Sequence, residues 1–176
     1  MKKVIGVVGL PGAGKSSVCK ILSEKGYFIV RTGDVTDDLI NEKGLEFTEE
    51  NEKKLREGLR ASEGDGVYAR LSFPKTEGHD LIVIDGVYHL EEWEFWKSKF
   101  DDVTLVAVVA DPDIRYKRLS SRKVRPISIE ECKSRDKAHL EKKGVGMIIE
   151  DADITIENDG GIDGLKESVL KFLDTF

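Results

Sequence analysis

Residues 9–16 constrain the fold of this chain more than any other segment. They read Gly-Leu-Pro-Gly-Ala-Gly-Lys-Ser, which fits the phosphate-loop pattern G-x-x-x-x-G-K-S. A β-rich apolar run precedes them at 3–8, and a helical pattern of apolar residues follows them. A strand, a glycine loop and a helix in this order are the context that the pattern requires. The sequence therefore predicts a loop that holds the phosphates of a nucleoside triphosphate, with an ordinary glycine-rich turn as the alternative.

The chemistry of this loop assigns a role to several of its residues. Glycines let the backbone bend so that N–H groups point at the anion, and the following helix adds its positive end. Lys15 is expected to reach the β- and γ-phosphates, and the hydroxyl of Ser16 to bind Mg²⁺. The predicted nucleotide-binding residues in this segment are Gly9, Leu10, Pro11, Gly12, Ala13, Gly14, Lys15, Ser16 and Ser17.

Short β-rich runs alternate with helical patterns along the chain. The runs lie at 3–8, 27–30, 81–85, 103–109 and 153–157, and the helical patterns at about 15–25, 34–43, 48–62, 112–121, 128–143 and 162–173. The runs at 81–85 and 103–109 are apolar without alternation, which is typical of strands covered on both faces. The sequence therefore predicts an α/β fold with a doubly wound parallel sheet and helices on both faces.

The chain is expected to form a single domain over residues 1–176 with two inserts. Residues 34–78 are polar, acidic and mostly helical, and we expect them to bind the phosphate acceptor. Residues 122–135 carry basic side chains and are expected to form a short lid. Two mobile segments beside a nucleotide site suggest a cap for each substrate.

A basic cluster is the second informative pattern. Arg115, Arg118 and Arg122 have the spacing i, i+3, i+7, which places them on one face of a helix. Arg125 follows, and Arg135 lies on the next predicted helix. Transfer of a γ-phosphoryl group needs cations at its oxygens, so Arg118, Arg122 and Arg135 are predicted catalytic residues. A solvated basic helix face is the alternative.

Two acids follow predicted strands, at the edge of a parallel sheet where ligands bind. Asp85 and Gly86 end the buried run at 81–85, and Asp85 is a candidate Mg²⁺ ligand as well as a residue of the acceptor site. Asp34 follows the second strand and is a candidate for Mg²⁺ binding or for the base that takes a proton from the acceptor. The alternatives are a plain turn for Asp85 and a helix N-cap for Asp34.

Arginines in the acidic insert are candidates for binding an acceptor that carries its own phosphate. Arg56 and Arg60 lie four residues apart on one predicted helix, and Arg70 follows a glycine-rich break. Arg60 and Arg70 are the predicted acceptor-binding residues. Pairing with glutamates of the same helix is the alternative.

Composition narrows the possible partners and the compartment. The net charge of −6 gives no overall positive field for a nucleic acid. Two cysteines fit a reducing cytosol rather than a disulfide scaffold, and the longest apolar run is too short to cross a bilayer. We therefore expect a cytoplasmic monomer or homodimer that binds neither nucleic acid nor membrane.

Several motifs in order resemble the nucleoside monophosphate kinase group. They are the phosphate loop, Thr-Gly-Asp at 32–34, Ile-Asp-Gly at 84–86, Asp-Pro-x-x-Arg-x-x-Arg-Leu at 111–119 and Asn-Asp-Gly at 158–160. Within that group the chain resembles adenylate kinases and dephospho-coenzyme A kinases. It resembles an archaeal family of nucleotide kinase-like proteins more closely still. The resemblance implies a three-layer P-loop NTPase fold with five parallel strands, ATP and Mg²⁺ as cofactors, and Asn158 near the nucleotide base.

The resemblance also implies a reaction, the transfer of the γ-phosphoryl group of ATP to a nucleoside monophosphate or to dephospho-coenzyme A. Adenylate kinases place a proline and an arginine after the strand-end Asp-Gly, whereas this chain has Val87, Tyr88 and His89 there. This difference disfavours AMP as the acceptor. An NTPase that transfers phosphate to water, and a nucleotide-dependent switch that binds a partner, are the alternative functions.

Overall fold

The computed structural model describes residues 2–123, 126–142 and 144–176. Its strands are β1 (Lys3–Val8), β2 (Phe28–Arg31), β3 (Leu81–Asp85), β4 (Asp102–Val109) and β5 (Ile154–Glu157). Within these ranges the five strands form one sheet in the order β2-β3-β1-β4-β5, and neighbouring strands run parallel. The predicted five-stranded parallel α/β sheet is confirmed.

Helices connect the strands. The described helices are α1 (Lys15–Glu24), α2 (Asp34–Glu42), α3 (Glu49–Glu63), α4 (Val67–Ser72), α5 (Leu90–Lys99), α6 (Pro112–Ser120), α7 (Ile129–Lys142), α8 (Val145–Glu150) and α9 (Ile162–Leu173), with a 3₁₀ turn at Phe73–Thr76. The six predicted helices are present with small shifts at their ends. Helices α4, α5 and α8 are additions that the sequence analysis did not assign.

The missed helices share weak local signals. Helices α4 and α8 have six residues each, which is too short for an apolar period to show. Helix α5 reads Leu-Glu-Glu-Trp-Glu-Phe-Trp-Lys-Ser-Lys, and its aromatic residues do not follow a clear single stripe. These helices form because they pack on the sheet, which supplies most of the stability of a short helix.

Side chains on the two faces of the sheet build two separate cores. On one face Ile5 and Val7 of β1 pack with α1 and α9. On the other face Val4 and Val8 pack with α4, α5 and α8. Alternate residues of a strand point to opposite faces, so each buried strand serves both layers. The continuous apolar runs predicted helices on both faces, and this prediction is confirmed.

Gly6 in the middle of β1 makes room for an indole ring. A Cβ atom built at Gly6 would lie 2.6 Å from the ring atom Cζ3 of Trp93, which is far inside contact distance. Trp93 and Trp96 of α5 are both buried in the same core. The tryptophans therefore act in packing, and the missing side chain at Gly6 allows α5 to approach the sheet closely.

Residues 34–78 contain α2, α3, α4 and the 3₁₀ turn. Val35, Val67 and Tyr68 form a small apolar cluster of this segment, apart from the two cores on the sheet. The hydroxyl groups of Thr36 and Tyr68 lie 2.8 Å apart and join α2 to α4. The acceptor-binding role of this segment remains a prediction.

A buried ion pair joins α6 to α7. Arg115 donates to both carboxylate oxygens of Asp136, over 3.0 Å and 2.6 Å, and both side chains are buried. Arg115 also donates to the carbonyl oxygens of Ala110 and Pro11, so one guanidinium contacts β4's end, the phosphate loop and α7. The hydroxyl of Tyr116 gives Asp136 a further hydrogen bond of 2.9 Å.

None of the helices in the described ranges has the length and apolar character that crossing a bilayer requires.

We expect Asp136→Ala to lower the free energy of unfolding by about 3–5 kcal/mol, because it leaves the charge of Arg115 buried without its partner. Glu131→Ala is the matched control, since it removes an acid that pairs with an arginine on the exposed surface of the same helix. That change should cost less than about 1 kcal/mol. Urea unfolding measures both, and equal losses would show that the Arg115–Asp136 pair contributes no more than a surface pair.

Candidate active site

The phosphate loop joins β1 to α1 and depends on glycines for its shape. Gly12 and Gly14 have φ values of 82° and 109°, in the region that side chains avoid. A Cβ at Gly12 would lie 2.7 Å from the carbonyl oxygen of Arg115, and one at Gly14 would collide with the side-chain amide of Asn158. Gly14 also precedes α1 without a capping side chain, and the first turn of α1 carries no acid. The first N–H groups of α1 therefore meet no side chain that competes with a phosphate.

The side chain of Lys15 folds back over the start of the phosphate loop. Its ammonium donates to the carbonyl oxygens of Gly9 and Leu10, over 2.7 Å and 3.3 Å. Burial lowers the pKa of Lys15 to about 8, and the nearby charge of Asp85 opposes this shift. Ser16 is exposed in the first turn of α1, so its hydroxyl is accessible to a ligand.

The ends of β2 and β3 meet beside this lysine. Arg31 pairs with Asp85 in the sheet register, and the Thr32 hydroxyl donates to the carbonyl oxygen of Gly86 over 2.8 Å. Asp34 begins α2, and its carboxylate lies 3.3 Å from the guanidinium of Arg31. The parallel sheet thus brings Asp85 to Lys15, and places Asp34 at the neighbouring strand end.

Arg118 and Arg122 of the basic cluster lie in different environments. Arg118 donates to the carbonyl oxygens of Gly12, Asn158 and Gly160, so its guanidinium joins the phosphate loop to the loop after β5. Arg122 is exposed, and its charge is close enough to Lys15 to lower the pKa of that lysine. Arg125, which the sequence analysis included in the cluster, lies outside the described residues.

Arg135 lies on α7 and pairs with two acids. Its guanidinium contacts Glu131 of the same helix at 2.6 Å and Glu49 of α3 at 3.7 Å. The predicted lid and the predicted acceptor insert therefore touch each other through this side chain. In this arrangement the predicted catalytic arginine is held by carboxylates.

A cavity of about 330 Å³ lies beyond the phosphate loop, on the side of Asn158. Gly14, Ser17, Arg118, Asn158 and Leu165 contribute to its lining. The side-chain amide of Asn158 donates to the carbonyl oxygen of Ala13 over 2.7 Å. The cavity adjoins the loop that would hold phosphates, so its position is suited to the base or ribose of the same nucleotide.

The arginines of the acceptor insert have acidic or carbonyl partners. Arg60 donates to buried Glu92 over 3.1 Å, and its guanidinium lies 4.3 Å from the ring centre of Tyr68. Arg70 donates to the carbonyl oxygen of Glu63 at the end of α3. The proposed clamp residues Arg60 and Arg70 are thus both engaged within the protein.

Comparison with known proteins shows the family. A family model described as an AAA domain matches residues 5–139. A UPF0200 protein of Sulfurisphaera tokodaii is 34% identical over 175 residues, which cover 97% of this chain and 96% of that protein. A UPF0200 protein of Saccharolobus solfataricus is 40% identical over 179 residues, which cover 98% of this chain and 93% of that protein. The chain belongs to the UPF0200 family.

A longer relative belongs to the same group. A UPF0200/UPF0201 protein of Archaeoglobus fulgidus is 35% identical over 178 residues. The alignment covers 97% of this chain and 55% of that relative, so the chain spans about half its length. The archaeal family that the sequence motifs resemble is confirmed.

Solved structures of low sequence identity share the fold of this chain. A structure of a Thermus thermophilus protein has a TM-score of 0.65 and 18% identity, and covers 99% of this chain and 98% of that one. Shikimate kinase of Acinetobacter baumannii, in complex with shikimate, has a TM-score of 0.63 and 19% identity, with 99% and 93% coverage. A gluconokinase of Sinorhizobium meliloti has a TM-score of 0.61 and 14% identity, with 98% and 92% coverage. The UPF0200 chain therefore has a P-loop kinase-like fold.

The sequence analysis missed the buried acid Glu92 of α5. Its carboxylate also accepts a hydrogen bond of 2.9 Å from the backbone N–H of Tyr88. Burial raises the pKa of Glu92, while the Tyr88 N–H and Arg60 oppose the shift. The sequence does place Glu92 one helical turn before Trp96, so that a charged residue lies on the apolar face of the helix. This position could have indicated a buried acid.

A second group of side chains was also missed. The histidines show no metal-ligand spacing in sequence, yet the fold brings His89 beside Asp65 and Glu91, with donor atoms within 4.8 Å of one another. The Nδ1 atom of His89 lies 3.6 Å from the carboxylate of Asp65. This contact joins the loop between α3 and α4 to the start of α5.

The lowered pKa of Lys15 predicts a pH-dependent affinity for nucleotide. Above about pH 8 the lysine of the free protein is mostly neutral, and phosphates would raise its pKa, so binding takes up a proton. We expect the affinity for ATP·Mg to fall by up to about tenfold per pH unit above this value. Calorimetry in buffers of different ionisation enthalpy measures the proton uptake. Lys15→Arg is the control because a guanidinium stays charged in this range; equal uptake by both proteins would contradict the assignment to Lys15.

Proposed function

We propose that this protein transfers the γ-phosphoryl group of ATP to a small-molecule acceptor. The observation that carries the proposal is the phosphate loop with Lys15 beside Asp85, at the edge of the sheet where β1 and β3 end. Ligands of parallel α/β sheets bind at this edge. The fold shared with a shikimate kinase and a gluconokinase supports phosphotransfer to a small molecule.

The donor nucleotide would lie along the phosphate loop. The loop amides and Lys15 would hold its phosphates, and the cavity beside Asn158 would receive its base or ribose. Arg118 was predicted to stabilise the transferred group, but its contacts with Asn158 and Gly160 support a role on the nucleoside side of the donor. We therefore propose that Arg118 positions ATP.

Magnesium fits the oxygen donors at this site. The exposed hydroxyl of Ser16 and the carboxylate of Asp85 are the ligand types that Mg²⁺ prefers. When bound, Mg²⁺ would neutralise charge on the β- and γ-phosphates. Asp85 also acts on Lys15 electrostatically, so the same carboxylate helps to keep the lysine charged.

Arginines of the basic cluster would stabilise the group in transfer. Arg122 is exposed just after α6, and its charge lowers the pKa of Lys15, as that of Arg115 also does; its role at the γ-phosphate is proposed from the sequence pattern. Arg135 would reach the phosphates after leaving Glu131 and Glu49. Such a delayed arrival limits transfer of phosphate to water before an acceptor is bound.

The acceptor would bind between the insert and the ends of β2 and β3. A nucleoside monophosphate and dephospho-coenzyme A are the predicted candidates, with Asp34 as the base where the accepting group is a hydroxyl. An NTPase or a nucleotide-dependent switch is the alternative. ADP release from ATP and Mg²⁺, with and without AMP, CMP, other monophosphates and dephospho-coenzyme A, tests these functions. Acceleration by one compound, with a product of matching mass, supports the kinase, whereas release that no compound changes supports the alternative.

We expect Lys15→Ala to lower ATP turnover by at least about a hundredfold, because it removes a cation that neutralises transferred charge. Lys20→Ala removes an exposed lysine from the same helix α1 and should leave turnover near the wild-type value. ADP release by the folded variants measures the effect. Unchanged turnover in Lys15→Ala would refute the phosphate-loop assignment.

We expect Arg122→Ala to reduce kcat by about 10²–10³ while the Kd for ATP·Mg changes little, because its contact forms with the transferred group. Lys117→Ala is the control, since it removes an exposed cation from the adjoining helix α6. Steady-state kinetics and nucleotide titration separate the two constants. Equal losses in kcat and in affinity would indicate a general electrostatic contribution of Arg122 to ATP binding.

A further inference from the structure

We propose that the acceptor reacts through a hydroxyl group, and that buried Glu92 makes its site unfavourable for a phosphate group. This inference rests on the proposed function, because it takes residues 34–78 and the adjoining start of α5 as the acceptor side. It separates the two predicted acceptors, since a nucleoside monophosphate accepts through its phosphate and dephospho-coenzyme A through a hydroxyl.

The first observation is the charge of α2, which begins at the end of β2. Its sequence is Asp-Val-Thr-Asp-Asp-Leu-Ile-Asn-Glu, with four acids and no base. Asp34 and Asp37 occupy its first turn, where the positive end of a helix would otherwise attract an anion. A phosphate placed here would meet two carboxylates.

The second observation concerns the arginines of residues 31–78, a range that the structure describes throughout. Arg31 contacts Asp34, and Arg56 contacts Glu49 and Glu52. Arg60 contacts Glu92, and Arg70 donates to a backbone carbonyl. Each arginine of this range thus meets at least one acceptor atom of the protein, Arg31 and Arg70 as exposed side chains and Arg60 in the most buried of the ion pairs. A bidentate phosphate clamp needs guanidinium groups that are available to the ligand.

Glu92 is the member of this arrangement that a phosphate would have most difficulty displacing. Its side chain is 1% exposed, whereas that of Arg60 is 14% exposed. A phosphate that drew Arg60 away would leave the carboxylate of Glu92 buried with backbone N–H donors, those of Tyr88 and His89, but without a cation. A buried charge that loses its partner is strongly unfavourable. Pairing with Glu92 therefore neutralises Arg60, the arginine that the sequence analysis predicted to bind the acceptor.

The same network extends to the phosphate loop. Tyr88 carries the N–H that Glu92 accepts, and the ammonium of Lys15 lies 5.7 Å from the centre of its ring. Tyr88 thus links Glu92 to the neighbourhood of Lys15 through its backbone and its ring. This connection is the one through which Glu92 would influence the choice of accepting group.

A hydroxyl acceptor uses the acids that a phosphate would meet. The acceptor oxygen forms a bond to the γ-phosphorus, and the bond from that phosphorus to the bridging oxygen breaks with its electron pair leaving on ADP. The hydroxyl proton passes to the carboxylate of Asp34 and from there to solvent. Carboxylates at the ends of β2 and β3 then serve the reaction instead of repelling the acceptor.

Anion binding to the nucleotide-loaded protein tests this inference without turnover. The protein is saturated with a non-hydrolysable ATP analogue and Mg²⁺, so that the phosphate loop is occupied, and is then titrated with AMP and with inorganic phosphate by calorimetry. We expect the wild type to bind neither below about 1 mM. Glu92→Gln keeps an oxygen for the Tyr88 N–H but removes the charge that holds Arg60, so its affinity for AMP should rise at least about tenfold.

Glu91→Gln is the matched control, because it makes the same change at the preceding, exposed position of α5. It should behave as the wild type. Tight binding of AMP by the loaded wild type would overturn the inference, and so would an equal affinity for AMP in Glu92→Gln and Glu91→Gln.

Turnover distinguishes failure of this inference from failure of the proposed function. ADP release is measured with dephospho-coenzyme A and with two matched pairs, adenosine with AMP and cytidine with CMP. Acceleration by a hydroxyl compound alone supports both. Transfer to the phosphate of AMP or CMP, identified by its nucleoside diphosphate product, upholds phosphotransfer and overturns the inference. Release that no compound accelerates counts against the proposed function, whereas the calorimetric comparison still decides whether Glu92 excludes anions.

Discussion

The buried ion pair between Arg115 and Asp136 is the interaction on which the arrangement around the phosphate loop depends. One guanidinium bonds to a carboxylate of α7, to the carbonyl oxygen of Pro11 and to the carbonyl oxygen of Ala110. Such a group is expensive to bury and is tolerated only when its donors are satisfied. The ion pair therefore fixes the position of α6 relative to the phosphate loop. The positions of Arg118 and Arg122, which follow on the same segment, are set by this anchor.

Charge is divided across the site. On the proposed donor side Lys15 and Arg118 donate hydrogen bonds to the phosphate loop, and the charge of Arg122 acts on Lys15. The proposed acceptor side has acids in α2 and a carboxylate inside α5. Asp85 stands between the two regions, near enough to Lys15 to oppose the effect of burial on its pKa. The proposed site thus combines basic residues around the phosphate loop with a neighbouring region in which Arg31, Arg56 and Arg60 are paired with acids of the protein.

Features that depend on local backbone geometry could be predicted from sequence. The phosphate loop is specified by glycines at positions of positive φ, and the strand-end position of Asp85 follows from a buried apolar run in a parallel sheet. Partners distant in sequence could not be predicted, because no local pattern relates Arg115 to Asp136 or Arg60 to Glu92. The spacing of Arg115, Arg118 and Arg122 predicted that they share one helix face. It did not show that Arg118 turns toward the loop after β5 while Arg115 is buried.

The contact between Gly6 and Trp93 has a consequence for the position of helix α5. A side chain at position 6 and an indole at position 93 exclude each other, so a larger residue at position 6 requires a smaller one at position 93. Helix α5 approaches β1 as closely as it does because of this vacancy in the strand. Glu92 is the neighbour of Trp93 in that helix, and a shift of the indole outward would carry the carboxylate away from Arg60. The absence of a side chain at Gly6 therefore helps to place Glu92 within hydrogen-bonding distance of Arg60.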